Sequence, residues 1–227
     1  MSLGFRICSR DSKVAPDFVS LFREIPVANV SDNMARMYAT GCGLKPMHNG
    51  RAMAGPAFTV KSRPGDNLML HKAIDMAEPG DVIVVDGGGD LTNSLIGELM
   101  VAMAVHRKLE GIVLNGAIRD SDTIHSGSFP IYAAGVTHRG PYKDGPGEIN
   151  ITIAINGMVI EPGDLIIGDS DGVLCVPQSH VKEVYERAHA QHKTETELLS
   201  AIQSGNYDRS WVDTVLKQRG CDMGKTI

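Results

Sequence analysis

Two uninterrupted apolar runs do most to limit what this chain can fold into. Asp81-Val82-Ile83-Val84-Val85-Asp86 sets four aliphatic residues between two acids, and Gly111-Ile112-Val113-Leu114-Asn115-Gly116 follows after a helix-length interval. Short runs of this kind, rich in β-branched residues and bounded by turn formers, are strands buried on both faces, as parallel strands are. Between them Leu95, Leu99, Met103 and His106 fall on one face of a helix. The spacing therefore predicts a βαβ unit, and parallel strands bring the loops at their C-terminal ends to one edge of the sheet.

Other elements can be read around that unit. Phe18, Leu21, Phe22 and Ile25, then Val30, Met34 and Met37, recur at helical spacing over residues 17–39 with a break at Pro26. Two N-terminal helices are expected, the second capped by Ser31-Asp32. Residues 52–61 read as a strand, and 67–76 as a helix stopped by Glu78-Pro79-Gly80. From Pro130 to Pro177 short strands alternate with turns: 149–155, the Asn156-Gly157 hairpin signal, 158–160, 165–167 and 173–176. Asp169-Ser170-Asp171-Gly172 lacks the later ligands of a calcium loop and reads as a turn. A long polar helix over 179–203 should stop at Gly205, with a short helix around Trp211, Val215 and Leu216 beyond it. Met69, Met76, Met100 and Met103 are expected to pack in the core or at an interface.

Composition narrows the function. The formal net charge of -5, without any block of Lys or Arg, speaks against direct nucleic-acid binding. No apolar stretch approaches the roughly 20 residues that span a bilayer, and Met1-Ser2-Leu3-Gly4-Phe5-Arg6 lacks the apolar core of a signal peptide, so a cytoplasmic protein without membrane attachment is expected. Cys8, Cys42, Cys175 and Cys221 form no zinc-like spacing, and His189 with His192 reads as a solvated helix face.

The chemistry-bearing residues sit at the ends of the two buried strands. Asp86-Gly87-Gly88-Gly89-Asp90 is a turn whose amides would suit an anion, next to a helix expected to start between Asn93 and Gly97. Arg119-Asp120 follows the second run: the guanidinium is a planar fork for a carboxylate, and the acid is a hard oxygen ligand for Mg²⁺ or Mn²⁺. Glu98, separated from that pair by twenty intervening residues, falls in the first turn of the intervening helix. There it is either helix-end electrostatics or a group that acts through water. His138-Arg139-Gly140, in a glycine-rich loop, reads as a structural or interface segment, with contact to a substrate as the alternative.

The stretches PGDVIVVDGGGD, IGELM, EGIVLNGAIRDSD and EPGDLIIGDSDGVLCVP resemble those of the RraA-like proteins, a family that includes the divalent-metal 4-hydroxy-4-methyl-2-oxoglutarate / 4-carboxy-4-hydroxy-2-oxoadipate aldolases. The resemblance is weaker before Ala52 and after Ser179. It implies an α/β fold, an α-β-β-α sandwich of the swivelling β/β/α type, as one RraA-like domain over residues 1–227 with its core at about 27–178 and a helical segment at about 179–227. It implies a homotrimer or homohexamer acting on a small 2-oxo acid. By resemblance Asp120 would hold Mg²⁺ or Mn²⁺, while Arg119 and the backbone amides of Gly97, Glu98, Leu99 and Met100 would hold the pyruvyl group. Glu98, Arg119 and Asp120 would be catalytic, and a carboxylate of the adjacent subunit's C-terminal region, for which Glu195 and Glu197 are candidates, would lie near the site. The aldolases usually carry Asp where this chain has Glu98. The implied activity is cleavage to pyruvate and a second 2-oxo acid, with oxaloacetate decarboxylation as a companion. The family also includes regulators that bind a ribonuclease without metal. A methyltransferase is a third reading, because VIVVDGGGD looks like a strand and glycine loop for S-adenosylmethionine, although the next strand ends in Asn115-Gly116 without an acid for a ribose.

Overall fold

The computed structural model of the protein describes residues 3–224, which divide into two compact units on either side of the step from His189 to Ala190. The first contains strands β1 (Phe5–Ile7), β2 (Lys45–Pro46), β3 (Met53–Ser62), β4 (Val82–Asp86), β5 (Ser94–Ile96), β6 (Gly111–Ile118), β7 (Ile131–Val136), β8 (Gly147–Ile149), β9 (Ile153–Ile155), β10 (Met158–Ile160), β11 (Leu165–Asp169) and β12 (Gly172–Val176). Its helices are α1 (Pro16–Phe22), α2 (Val27–Asp32), α3 (Leu68–Met76), α4 (Glu98–His106) and α5 (Ser121–Ser126), together with the start of α6 (Val181–Gln203). The second unit holds the rest of α6 and α7 (Ser210–Gln218).

The main sheet runs β1-β8-β3-β4-β6-β7-β2, with β3, β4, β6 and β7 parallel to one another. The second half of β3 pairs with β4 and β8, whereas its first half pairs antiparallel with β11, which pairs in turn with β12. Side-chain alternation shows why the layers stack as they do. In β4, Ile83 and Val85 face a core shared with Leu70, Ile74 and Ala104 of α3 and α4, while Val82 and Val84 face a second core with Ile153, Ile166 and Cys175. In β11 and β12, Ile166, Val173 and Cys175 join that second core, and Leu165, Ile167, Leu174 and Val176 face a third with Phe22, Val30 and Val184. Both sheets are thus apolar on both faces, and the order is helix, sheet, sheet, helix: the α-β-β-α sandwich.

Several local expectations change. Ser31 and Asp32 close α2 instead of capping its start, where Pro26 stands as N-cap; proline's fixed φ suits a helix entry, and Asp32 pairs with Arg36 at 2.8 Å. The helix after the glycine turn begins only at Glu98, because Ser94–Ile96 pairs with β6 as β5. Leu95 is therefore a buried strand residue, and Leu99 and Met103 are exposed. Residues 149–155 form two strands separated at Asn150, whose φ of +56° turns the chain. The Asn156-Gly157 hairpin forms as expected, with φ of +50° and +88°.

Candidate functional site

Parallel pairing puts the ends of β4, β5 and β6 at one edge, and the Arg119-Asp120 pair leaves that edge directly from β6. The Arg119 N–H donates to the Ile96 carbonyl at 3.0 Å, continuing the β5–β6 ladder one step beyond the strands. Asp120 turns left-handed, at φ 56° and ψ 39°, a conformation that aspartate tolerates better than most residues. The turn swings its carboxylate onto the start of α4, where Oδ2 accepts the Glu98 N–H at 2.9 Å and lies 3.7 Å from Arg119 Nε. Such a carboxylate satisfies an orphan first-turn amide and faces the positive helix end.

Gly97 makes the close approach possible. Its backbone is extended, φ -146° and ψ -173°, so the need for glycine is one of space. A Cβ there would overlap Asp120 Oδ2 and lie 3.0 Å from both Cγ and Nε of Arg119.

Arg119 separates two cavities of opposite character. The first, ≈ 380 Å³, is lined by Asn67, His71, Ser94, Leu95, Ile96, Gly97, Leu99, Met100, Met103, Arg119, Gly140, Pro141 and Lys143, and among the described residues no carboxylate lines it. Burial, with Lys143 as the second cause, lowers the His71 pKa against a smaller opposing pull from Asp75. His71 is thereby neutral near pH 7, and Arg119 and Lys143 are the cavity's cations. The second cavity, ≈ 500 Å³, is lined by Glu98, Asp120 and Asp122 with His138, and shares Arg119 with the first. One side suits an anionic ligand, and the other concentrates negative charge.

The expected site residues therefore come together at one place, with their amides in unequal states. The Glu98 N–H is taken by Asp120 and the Met100 N–H donates to the Gly97 carbonyl at 3.1 Å, while Leu99 sits in the first turn, where amides lack intrahelical acceptors. The glycine turn stands apart. Gly88 donates to Asp86 Oδ1 at 3.1 Å and Gly89 to the Asn115 carbonyl at 3.1 Å, and neither lines either cavity. Its tightness has a steric cause, since a Cβ on Gly87 would come within 2.8 Å of the Asn115 carbonyl. Glu195 and Glu197 lie on α6 in the second unit, where Glu195 accepts from Gln191 at 2.7 Å.

Asn67, His71 and Lys143 were not legible as site residues. They come from the start of α3 and from a loop far along the chain, and no fixed spacing ties them to Arg119. Asn67 is almost fully buried; its Nδ2 donates to the Leu95 carbonyl at 2.9 Å, while its Oδ1 has no hydrogen-bond partner among the described residues.

The family model of the RraA-like proteins, described as Aldolase/RraA, matches residues 27–175. The chain belongs to the RraA-like family. A relative from Halalkalibacterium halodurans, named "Putative 4-hydroxy-4-methyl-2-oxoglutarate aldolase", is 39% identical over 177 residues, covering 78% of this chain and 84% of its own. An uncharacterized protein of Pseudomonas syringae has a solved structure that superposes with a TM-score of 0.77 at 27% identity, over 86% of this chain and 96% of its own. The RNA-processing inhibitor RraA from Thermus superposes at 0.63 with 27% identity, over 68% and 93%. The fold expected from the resemblance is thus the fold observed. Among the described residues no helix of this RraA-like chain is long and apolar enough to cross a membrane.

Proposed function

We propose that this RraA-like protein is a divalent-metal-dependent aldolase that cleaves 4-hydroxy-4-methyl-2-oxoglutarate or 4-carboxy-4-hydroxy-2-oxoadipate type substrates to pyruvate and a second 2-oxo acid, with oxaloacetate decarboxylation as a side activity. The observation that carries the reading is the Arg119-Asp120 wall between a basic cavity and an acidic one. A substrate carboxylate belongs on the first side and a hard cation on the second.

The donor set fits Mg²⁺ or Mn²⁺. Among the described residues no group of three His, Cys, Asp or Glu side chains is placed to cage a metal. Mg²⁺ commonly takes only one or two carboxylates, with water and substrate oxygens completing its shell. Asp120 has spent part of one oxygen's capacity on Glu98 N–H, and a carboxylate offers about four lone-pair sites. Held by Asp120, the cation would supply Lewis-acid polarisation of the 2-keto group.

The chain's own groups do the rest. Arg119 grips the carboxylate of the pyruvyl end with its fork, and Lys143, in the same cavity, takes a distal carboxylate as a point charge. Glu98, beside Asp120, removes the 4-hydroxyl proton through a water molecule. C4–O becomes a carbonyl as the C3–C4 bond breaks, and its electron pair passes to the pyruvyl fragment, which gains a proton at C3. The exposed Leu99, Met103 and Val136, which line the cavities, support assembly as a homotrimer or homohexamer. A cytoplasmic location goes with this reading.

The test is pyruvate release from 4-carboxy-4-hydroxy-2-oxoadipate and from oxaloacetate, with Mg²⁺ and with EDTA, for wild type and Asp120→Ala. Metal-dependent release lost in the variant supports the proposal; none from folded wild type refutes it. The second reading, a regulator that binds a ribonuclease, draws on the likeness to the Thermus inhibitor. It gives the charge-separated wall no task, and binding that persists in Asp120→Ala and in EDTA would favour it.

A further inference from the structure

Two segments far apart in sequence, 65–67 and 142–145, are zipped together at the edge of the basic cavity. The Tyr142 N–H donates to the Gly65 carbonyl at 2.8 Å, and the Asn67 N–H donates to the Tyr142 carbonyl at 3.0 Å, a parallel bridge centred on Asp66. The Asp66 side chain is wholly buried between them, and both oxygens are in use. Oδ1 accepts the Leu68 N–H at 2.9 Å, satisfying an orphan amide at the start of α3. Oδ2 accepts the consecutive N–H groups of Asp144 at 2.7 Å and Gly145 at 2.9 Å. Arg63 stands 4.0 Å from Oδ2, and the Ser62 hydroxyl donates to the Asp66 carbonyl.

The placement matters because of what flanks it. Asn67 on one segment with His71 on the helix that follows it, and Lys143 on the other segment, line the cavity that holds Arg119. Lys143 is exposed on a loop, and its neighbours Asp144 and Gly145 are the residues whose amides the buried carboxylate holds. Charge-assisted bonds of this kind are short and strong, and two donors converging on one oxygen fix the direction of the chain.

We propose that Asp66 is a positioning residue that sets Lys143 in the cavity that Arg119 also lines, and so governs the protein's grip on the distal carboxylate of its substrate. This rests on the aldolase reading for the identity of the ligand. Asn at this position keeps one acceptor but points an amide group at an N–H, leaving a buried donor without a partner.

Calorimetric titration with 2-oxoglutarate, which has a distal carboxylate, and with pyruvate, which has none, tests it in the presence of Mg²⁺. Wild type, Asp66→Asn, Lys143→Ala and the double variant are compared. The expected result is weaker 2-oxoglutarate binding in Asp66→Asn, by on the order of 10–100-fold for a displacement near 1 Å, with pyruvate affinity unchanged. The double variant should be no weaker than Lys143→Ala alone, since two residues acting through one contact are not additive. Equal losses for both ligands, additive losses, or no loss would overturn the proposal. Should Asp66→Asn not fold, amide exchange of wild type decides: protection at Asp144 and Gly145 supports the clamp, and exchange at free-peptide rates refutes it. Wild type that discriminates between the ligands yet releases no pyruvate sinks the aldolase reading and leaves the clamp standing.

Discussion

Replacing Gly97 by alanine tests the site through geometry alone. The backbone at Gly97 is extended, so alanine meets no conformational penalty, and all of its effect comes from the new methyl group. That group would overlap the Asp120 carboxylate and lie 3.0 Å from Cγ and Nε of Arg119. Carbon–carbon contacts settle at about 3.5–4.0 Å, so the arginine stem must retreat by roughly 0.5–1 Å and the carboxylate by more. A displacement near 1 Å in a catalytic group costs about 100-fold in rate. The Glu98 N–H would also lose its acceptor, and losing a helix cap costs about 0.5–2 kcal/mol. That corresponds to a fall in Tm of roughly 1–8 °C for a chain of this size. The assay is kcat/KM for Mg²⁺-dependent pyruvate release, with thermal unfolding measured alongside. Gly127→Ala is the control, since its Cβ would meet nothing closer than 3.4 Å. Gly97→Ala with wild-type kcat/KM would refute the claim that the placing of Arg119 and Asp120 governs the chemistry.

Asp120→Asn keeps an oxygen for the Glu98 N–H but removes the charge, so it should melt near wild type while Mg²⁺ titration of activity shows at least about 100-fold loss, as expected when the group that holds a catalytic charge is removed; retained Mg²⁺ dependence would show that the ion is held elsewhere. Lys143→Ala should raise KM for a dicarboxylate about tenfold with kcat little changed, the signature of lost uniform binding, and the wild-type advantage should shrink with added salt. An unchanged KM at low ionic strength would remove Lys143 from the substrate site. For His71 the folded pKa lies below its ordinary 6.5, so the unfolded chain binds the proton more readily. The stability this provides is fully present above pH 6.5 and is lost as pH falls from there through the folded value. Thermal unfolding between pH 8 and pH 5 should therefore drop less steeply in His71→Gln than in wild type, and parallel curves would contradict the assignment.

The βαβ unit was legible because continuous apolar runs bounded by glycine and acid have few other destinations, and Val82–Asp86 and Gly111–Ile118 pair in parallel as those runs imply. β5 was hidden for a definite reason. Leu95 stands four residues before Leu99 and eight before Met103, which is helix periodicity, yet three residues that extend the β6 ladder outweigh it. The glycine turn looked like an anion cradle, and only the structure shows its amides spent on Asp86 and Asn115. Arg119, Asp120 and Glu98 could be found because they lie within one supersecondary unit. Asn67, His71 and Lys143 could not, since the bridge that gathers them joins segments more than seventy residues apart, at Asp66 and Tyr142.

β3 gives the molecule a mechanical property of its own. Its first residues, Met53 to Pro56, are laced to β11, and those from Ala57 onward to β4, so one strand is stitched into both layers of the sandwich. Neither layer can fray past that seam without unpicking the other. Melting of the first unit should then be a single cooperative event, with the slowest-exchanging amides of both layers opening together.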